Sequence, residues 1–327
     1  MLVLSRGDLE RVLPPADVIE AMAAVFRLHA EGRAVAPPRT GMPIGDGGVL
    51  LLMPAAVGEA GAPAVAGTKL VSVQPANRAR GKPTIYASYV LVDGATGQPL
   101  AHLEGTYLTG VRTGATSALA ARLLARANAR RVTCFGAGVQ AGFQLTCLAA
   151  VRPLERVAIV GRDPVRARAF ARAIAERLAV PVEVADDART AVRDADIVTC
   201  ATTSATPVVF GADLSPGTHL DLVGAFRPGD READTEALRR ARVVVDTYDA
   251  ALAAAGDVLI PMREGAFDRA HISAELAEVL VGIKPGRLRA DEITVFKSVG
   301  WALEDLAAAR LAYNRARSAG LGTEVHL

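Results

Sequence analysis

A glycine-rich loop near the middle of the chain has the spacing of a dinucleotide-binding site. It follows the apolar run 132–135 directly and reads Gly136-Ala137-Gly138-Val139-Gln140-Ala141, after which a helical pattern begins. In a strand–GxGxxA–helix unit the first glycine makes the tight turn and the second lets a pyrophosphate approach the backbone, while a small third residue permits close helix packing. Backbone N–H groups at the helix start then favour the phosphate charge. The loop therefore predicts a cofactor site at residues 136–140.

The residues after the next strand bear on which dinucleotide is bound. This strand ends at Gly161 and Arg162, where an acidic residue commonly binds the adenosine ribose of NAD. The Arg162 guanidinium suits a 2′-phosphate, whereas the adjacent Asp163 is compatible with NAD. We expect NADP(H) to be favoured over NAD(H). Thr202 ends a later strand at the same edge and is a further predicted cofactor contact, although a threonine there also suits a turn.

One lysine stands out against the arginine-rich composition. Of the 37 lysines and arginines only four are lysines, at positions 69, 82, 284 and 297. Lys69 lies in the apolar run 64–73, which has no other charge. Desolvation there would lower its pKa and allow it to donate a proton near neutral pH. The alternative is a structural lysine that extends its ammonium from a sheet edge into water.

The hydrophobic periodicity predicts an α/β fold with two domains. Residues 5–31 read as helical, and residues 34–105 read as short strands of an antiparallel meander, followed by a helix over 106–128. From residue 131 buried strands alternate with helices, which predicts a Rossmann-type parallel sheet. A final amphipathic helix over 298–318 could return to the first domain. We expect an α+β domain with antiparallel strands over 1–115 and 300–327, and a Rossmann domain over 116–299.

The composition excludes several classes of protein. With 51% hydrophobic residues and a formal net charge of +2 over 327 residues, neither intrinsic disorder nor nucleic-acid binding is expected. The N-terminus lacks the apolar stretch of a signal peptide, and the longest apolar run, 49–57, is too short for a membrane span. We therefore expect a cytoplasmic protein without membrane partners. The three cysteines have no metal-site spacing and read as reduced core thiols.

Five motifs together resemble the ornithine cyclodeaminase/mu-crystallin family. They are residues 67–69, 81–84, 112–115, 136–141 and 296–300, in that order along nearly the whole chain. The resemblance implies a homodimer whose N-terminal domain supplies the substrate site and the dimer interface, with a Rossmann domain closing over the nicotinamide. It also implies hydride transfer between the cofactor and the α-carbon of an amino acid or cyclic imino acid, with no metal required.

The resemblance assigns roles to individual residues. Arg39, Lys69 and Arg112 match the positions that hold the substrate carboxylate, a group well suited to a bidentate guanidinium and an ammonium. Predicted cofactor contacts come from the same motifs and from the loop beside the nicotinamide: Thr84, Arg112, Thr113, Val223, Lys297 and Ser298.

Two departures from the family pattern concern the substrate pocket. Ornithine cyclodeaminases carry an aspartate after the Gly-Gly or Gly-Ala of the nicotinamide loop, whereas this chain has Phe226, followed by Arg227. An aromatic ring cannot bind the ornithine ammonium ionically but can cover a cyclised substrate. Trp301 is the second departure, because a small residue is expected there. In this loop and in residues 296–300 the pattern is closest to bacterial Δ1-pyrroline-2-carboxylate reductases, a group of ketimine reductases.

These observations predict an NAD(P)H-dependent oxidoreductase acting on C–N bonds. The expected reaction reduces Δ1-pyrroline-2-carboxylate or Δ1-piperideine-2-carboxylate to L-proline or L-pipecolate. The alternatives are an ornithine or lysine cyclodeaminase, an alanine dehydrogenase, or a non-catalytic NADP(H)- or small-ligand-binding protein of crystallin type.

Overall fold

The computed structural model describes residues 1–45, 47–59 and 62–326 and divides into two compact units. The first unit comprises Met1–Arg112 and Trp301–Leu327, and the second comprises Thr113–Gly300. No helix within the described ranges is long and apolar enough to cross a membrane.

The secondary structure follows the predicted change from a β-rich to an alternating pattern. The strands are β1 (Leu2–Leu4), β2 (Ala34–Val35), β3 (Thr40–Ile44), β4 (Gly48–Glu59), β5 (Ala62–Val73), β6 (Ile85–Asp93), β7 (Pro99–Glu104), β8 (Arg131–Phe135), β9 (Arg156–Val160), β10 (Val182–Val184), β11 (Ile197–Cys200), β12 (His219–Leu222), β13 (Arg242–Val245), β14 (Ile272–Glu275), β15 (Thr294–Lys297) and β16 (Thr323–Glu324). The helices are α1 (Arg6–Val12), α2 (Pro15–Ala30), α3 (Gly105–Leu124), α4 (Val139–Ala149), α5 (Pro164–Leu178), α6 (Ala188–Arg193), α7 (Thr235–Arg240), α8 (Tyr248–Ala254), α9 (Gly256–Arg263), α10 (Leu276–Leu280) and α11 (Ala302–Ala319).

The first unit is built on a mostly antiparallel sheet. Its strand order is β16-β1-β7-β6-β5-β4-β2, with β3 paired to β4, and β1 with β7 is the parallel exception. The predicted antiparallel sheet is confirmed, whereas the three-residue strand β1 is too short to show a period in the sequence. Helix α11 packs against α2 and against β4, β5 and β6. The C-terminal helix thereby covers the sheet that carries Lys69.

The second unit is a parallel sheet in the order β10-β9-β8-β11-β12-β15-β13-β14, which confirms the predicted Rossmann-type fold class. Its central strands are buried and mostly apolar, as in parallel sheets with helices on both faces, although β12 and β15 also carry buried polar side chains. From β8 the chain first adds β9 and β10 on one side of the sheet, and later adds β11 and β12 on the other side. The strand order therefore reverses between β8 and β11. Ligands of such sheets bind at this switch point, beyond the carboxyl ends of the strands.

Two helix boundaries differ from the sequence prediction. Helix α3 ends at Leu124 rather than near residue 128, and distant arginine side chains bind its last carbonyl groups. Arg152 Nη2 donates to Ala121 O at 2.9 Å, and Arg287 Nε donates to Leu124 O at 2.7 Å. Helix α11 begins at Ala302 rather than at residue 298. The N–H groups of residues 299 and 300 instead donate to the Asp246 carboxylate.

Candidate active site

The glycine loop 136–141 connects β8 to α4 at the switch point of the parallel sheet. Gly136 has a φ of +113°, and a Cβ at this position would lie 2.6 Å from the carbonyl oxygen of Ala201. Both the backbone conformation and the close approach of the next loop therefore require glycine here. Ala141 is completely buried on the inner face of α4, as expected for the small residue of the motif.

Gly138 is not required by the protein's own packing. Its φ of −112° is open to any residue, and a Cβ there would meet no atom of the described residues within 4 Å. Gly138 is also the N-cap of α4, and no side-chain cap bonds the first N–H groups of this 11-residue helix. Close approach of a phosphate group explains a glycine at such a position. The loop thus fits the pyrophosphate of a dinucleotide.

The acidic residue that follows β9, Asp163, is engaged by the protein's own backbone. Asp163 Oδ1 accepts the N–H groups of Val165 at 2.9 Å and Arg166 at 3.2 Å, so Asp163 caps α5. Gly161 lies two residues before it, and a Cβ on Gly161 would lie 3.0 Å from the Cβ of an alanine in α5. The exposed Arg162 guanidinium makes no hydrogen bond or ion pair with the part of the chain that the structure describes. An exposed guanidinium therefore stands beside a carboxylate occupied in capping.

A single buried carboxylate connects the loops after β11 and β12. Glu232 Oε1 accepts both the N–H and the hydroxyl of Thr202 at 2.8 Å, and Oε2 accepts the N–H of Gly224 at 2.7 Å and of Ala225 at 3.2 Å. Burial raises the pKa of Glu232. A Cβ on Gly224 would lie 2.3 Å from the carbonyl oxygen of Thr202, so the loops approach too closely for another residue. Val223, half-buried, lies between β12 and this contact.

Lys297 and Ser298 support the same loops from β15. The fully buried Lys297 ammonium lies 2.9 Å from Asp257 Oδ2 and donates to Ala225 O at 2.5 Å. Ser298 Oγ donates to Asp246 Oδ2 at 3.1 Å. Both side chains thus bind protein groups, and their contact with a cofactor stays a prediction.

The two predicted pocket residues follow the loop after β12, which is the predicted nicotinamide loop. Phe226 is half-buried against the core of the second unit. The exposed Arg227 places its guanidinium 5.8 Å from the centre of the Phe226 ring. The structure therefore has an aromatic and a cationic side chain here, and neither supplies the carboxylate that an ornithine ammonium would need.

In the first unit, Lys69 and Arg112 meet at one carboxylate of α11. Lys69 Nζ lies 2.8 Å from Asp305 Oδ2, and Arg112 Nε lies 2.9 Å from Asp305 Oδ1. Arg112 Nη1 also pairs with Glu304 Oε2. All four side chains are buried, with Lys69 only 2% exposed and Arg112 only 4%. Two cations and two carboxylates thus share one enclosed cluster, which we call the Lys69–Asp305 cluster.

Burial dominates the electrostatics of this cluster. Desolvation and the neighbouring Arg112 charge lower the pKa of Lys69 to about 8, although Asp305 acts in the opposite direction. For Arg112, burial would lower the pKa, but Asp305 and Glu304 outweigh it and raise the value. Arg112 consequently stays cationic, whereas Lys69 can exchange a proton in the physiological range.

Sequence reasoning missed Tyr89, Glu304 and Asp305. The two acids lie in the first turn of α11, where carboxylates are common simply because they suit the helix dipole. Tyr89 is the cross-strand partner of Lys69 and is completely buried. No hydrogen bond to its hydroxyl is found among the described residues. A Cβ on Gly67 would lie 2.5 Å from this hydroxyl, which explains the glycine two residues before Lys69.

The other predicted residues occupy separate positions. Arg39 is half-buried in the segment between β2 and β3. Thr84 precedes β6, and its carbonyl accepts the N–H of Gln74 at 2.8 Å. Thr113 directly follows Arg112 on α3 and belongs to the second unit. Trp301 precedes α11 and packs on α2, with its ring centre 4.6 Å from that of His29.

Comparison with known proteins gives full-length matches. The model of the ornithine cyclodeaminase/mu-crystallin family matches residues 1–320. A Δ1-pyrroline-2-carboxylate reductase from Bacillus cereus is 39% identical over 327 residues, covering 99% of each chain.

Solved structures match over the same extent. The Thermococcus litoralis Δ1-pyrroline-2-carboxylate reductase, solved with NADH and L-proline, superposes with a TM-score of 0.95 at 40% identity, covering 99% of this chain and 100% of that one. An archaeal alanine dehydrogenase dimer with bound NAD gives a TM-score of 0.93 at 33% identity, covering 100% and 99%. The resemblance seen in the motifs is confirmed, and the chain belongs to the ornithine cyclodeaminase/mu-crystallin family.

Proposed function

We propose that this protein is an NAD(P)H-dependent reductase of cyclic imino acids, which converts Δ1-pyrroline-2-carboxylate or Δ1-piperideine-2-carboxylate to L-proline or L-pipecolate. The observation that carries this proposal is the buried pair of cations, Lys69 and Arg112, that shares Asp305. The names of the Bacillus cereus and Thermococcus litoralis relatives support the same reaction. In this assignment the first unit binds the substrate and forms the dimer, and the second unit binds the dinucleotide.

The chemistry of the proposed substrate matches the cationic pair. Arg112 offers a planar guanidinium and Lys69 an ammonium, which together suit a carboxylate, and Arg39 is the proposed third cation. Fixing the carboxylate orients the C=N bond and so restricts the substrate to a reactive geometry. The bound nicotinamide supplies the hydride for C2 of the imine. Lys69, with a pKa of about 8, donates a proton to the imine nitrogen directly or through a water molecule.

We propose NADP(H) as the favoured cofactor because Arg162 is exposed and Asp163 is engaged as a helix cap. A 2′-phosphate would meet the guanidinium, while the ribose hydroxyl of NAD would compete with the cap for the carboxylate. The relatives solved with NADH and NAD support a nicotinamide dinucleotide in general. We expect Arg162→Ala to lower kcat/KM for NADPH about tenfold, on the order of 1.4 kcal/mol, and to leave that for NADH nearly unchanged. An equal loss with both cofactors would contradict this preference.

Phe226 separates the reductase from a cyclodeaminase. An ornithine substrate would need an ionic partner for its side-chain ammonium, and Phe226 with Arg227 provides an aromatic ring and a like charge instead. We expect little release of ammonia from ornithine or lysine with NAD. Ammonia release at a rate comparable to imine reduction would overturn this use of Phe226.

The proposed function is tested by initial rates of NADPH and NADH oxidation with the five- and six-membered imines. Lys69→Met should lose activity, whereas the matched variant Lys284→Met should keep it, because Lys284 pairs with Glu278 on the surface of the second unit. Cofactor binding by Lys69→Met should be unchanged, which separates an enzyme from a binding protein of crystallin type. No oxidation of either cofactor with either imine would refute the reductase assignment.

A further inference from the structure

The carboxylate of Asp305 bridges the two cations of the Lys69–Asp305 cluster. Each oxygen takes one cation, Oδ2 the ammonium of Lys69 at 2.8 Å and Oδ1 the Nε of Arg112 at 2.9 Å. Because both oxygens belong to one planar group, they hold the ammonium and the guanidinium side by side. Asp305 is completely buried, so water does not compete for these contacts.

The adjacent acid, Glu304, has a different set of contacts. It is also completely buried and pairs with Nη1 of Arg112, whereas the ion pair of Lys69 is with Asp305. Both acids lie in the first turn of α11, where the helix dipole stabilises their charge. Two neighbouring residues of one helix therefore offer a natural comparison, since Asp305 contacts both cations and Glu304 contacts the guanidinium.

Among the described residues, four ionisable groups face Lys69 from the elements packed around it. Helix α3 contributes Arg112, α11 contributes Glu304 and Asp305, and β6 contributes the neutral phenol of Tyr89. The cross-strand neighbour on β4 is an apolar methionine. Burial and Arg112 disfavour the ammonium form, and Asp305 is the strongest opposing group. Removing its charge would leave Lys69 inside the protein beside the Arg112 guanidinium and without its own ion-pair partner, because Glu304 pairs with Arg112.

We propose that Asp305 is a positioning residue that keeps Lys69 protonated and aligned with Arg112 for a carboxylate substrate. This inference rests on the proposed function, in which Lys69 donates the proton. Asp305 acts through Lys69 and Arg112 and need not touch the substrate. Together with the charge of Glu304, its charge balances the two cations before the substrate carboxylate arrives, so that the site can form inside the protein.

The first test compares Asp305→Asn with Glu304→Gln in the pH dependence of kcat/KM for the imine. In the unmodified enzyme kcat/KM should fall above about pH 8 as Lys69 loses its proton. Asp305→Asn should move this fall to lower pH by about one unit or more, because a removed opposite charge has effects of this size. Glu304→Gln should move it much less. Superimposed profiles for Asp305→Asn and the unmodified enzyme, or an equal shift in both variants, would overturn the proposal.

The second test does not depend on the reaction. Because the chain has only four lysines, an NMR spectrum of protein with isotope-labelled lysine side chains contains four ammonium-bearing groups. Lys69→Met assigns the Lys69 signal, whose titration near pH 8 should move to lower pH in Asp305→Asn. An unmoved titration would refute the role of Asp305 even if no imine were reduced. Conversely, a shifted titration in a protein without reductase activity would refute the proposed function alone.

A third variant covers the case in which Asp305→Asn does not fold. Asp305→Glu keeps the charge and displaces it by one methylene, so the Lys69 titration should stay near that of the unmodified protein. The kcat/KM should nevertheless fall about tenfold or more, because misplaced catalytic groups lose rate steeply. Unchanged kcat/KM in this variant would show that the placement of the carboxylate does not matter.

Discussion

Substituting Gly138 by alanine should separate cofactor binding from folding. Within the part of the chain that the structure describes, a Cβ at Gly138 meets no atom within 4 Å, and the φ of −112° is open to alanine. The added methyl group would therefore lie in open space in the free protein. It would stand where the pyrophosphate of a dinucleotide approaches the backbone, so it should obstruct only the ligand.

Two opposing effects set the expected change in stability. Replacing glycine by alanine restricts the unfolded chain and stabilises the protein by about 0.4–1 kcal/mol. Alanine is a poorer N-cap than glycine, which costs roughly 0.5–1 kcal/mol. The free energy of unfolding should therefore stay within about 1 kcal/mol of its original value. For cofactor binding we expect at least a tenfold rise in Kd, about 1.4 kcal/mol.

Gly136→Ala is the matched control, since it adds the same methyl group two residues earlier. Its φ of +113° and the 2.6 Å approach of Ala201 O make alanine strained in the folded protein itself. We expect it to lower the free energy of unfolding by about 2 kcal/mol or more. Urea unfolding measures the stability of both variants, and nicotinamide fluorescence measures the Kd for NADPH. Unchanged affinity in Gly138→Ala, or a loss of stability equal to that of Gly136→Ala, would refute the reasoning.

Three further outcomes follow from buried polar groups. Glu232→Gln replaces a carboxylate oxygen that accepts the Gly224 N–H by an amide group. We expect the free energy of unfolding in urea to fall by about 2 kcal/mol and the KM for the cofactor to rise. Unchanged values would contradict the role of Glu232 in connecting the loops. Tyr89→Phe removes a buried hydroxyl that has no hydrogen-bond partner among the described residues. It should leave the unfolding free energy equal or about 1 kcal/mol higher, whereas a loss above about 1 kcal/mol would reveal a hydrogen bond. Burial raises the pKa of Asp221 to about 7, so the folded state binds the proton more tightly than the unfolded state and stability falls as pH rises from about 4 to 7. Asp221→Asn should abolish this fall and be more stable than the unmodified protein at pH 8, by up to about 4 kcal/mol for a pKa change of about three units; parallel stability curves would contradict it.

The features that depend on local sequence were predictable. The glycine loop follows β8 and precedes α4 as expected, because a turn, a small residue and a helix start are set by adjacent residues. The change from an antiparallel to a parallel sheet also follows from patterns within single segments. The exposed state of Arg162 and the capping by Asp163 needed the structure, since both residues fit the sequence pattern equally well.

The arrangement of the Lys69–Asp305 cluster was beyond sequence reasoning. Asp305 lies 193 positions after Arg112, and only the packing of α11 on the sheet brings it to Lys69. An acid pair at a helix start is ordinary, and its complete burial is what distinguishes it. A carboxylate pair inside an Ala- and Leu-rich pattern is the signal that could have pointed to it. In the same way, Lys297 was singled out as a cofactor contact, and only the fold shows its ammonium between Asp257 and the carbonyl of Ala225.

The most direct test of the reductase assignment follows the transferred hydrogen. The protein is incubated with Δ1-pyrroline-2-carboxylate and NADPH carrying deuterium at C4 on the transferred face, and the product is analysed by chiral chromatography and mass spectrometry. We expect L-proline with one deuterium, located at the α-carbon, and no product with Lys69→Met. Unlabelled proline, or no proline with either reduced cofactor, would contradict direct hydride transfer to the imine carbon.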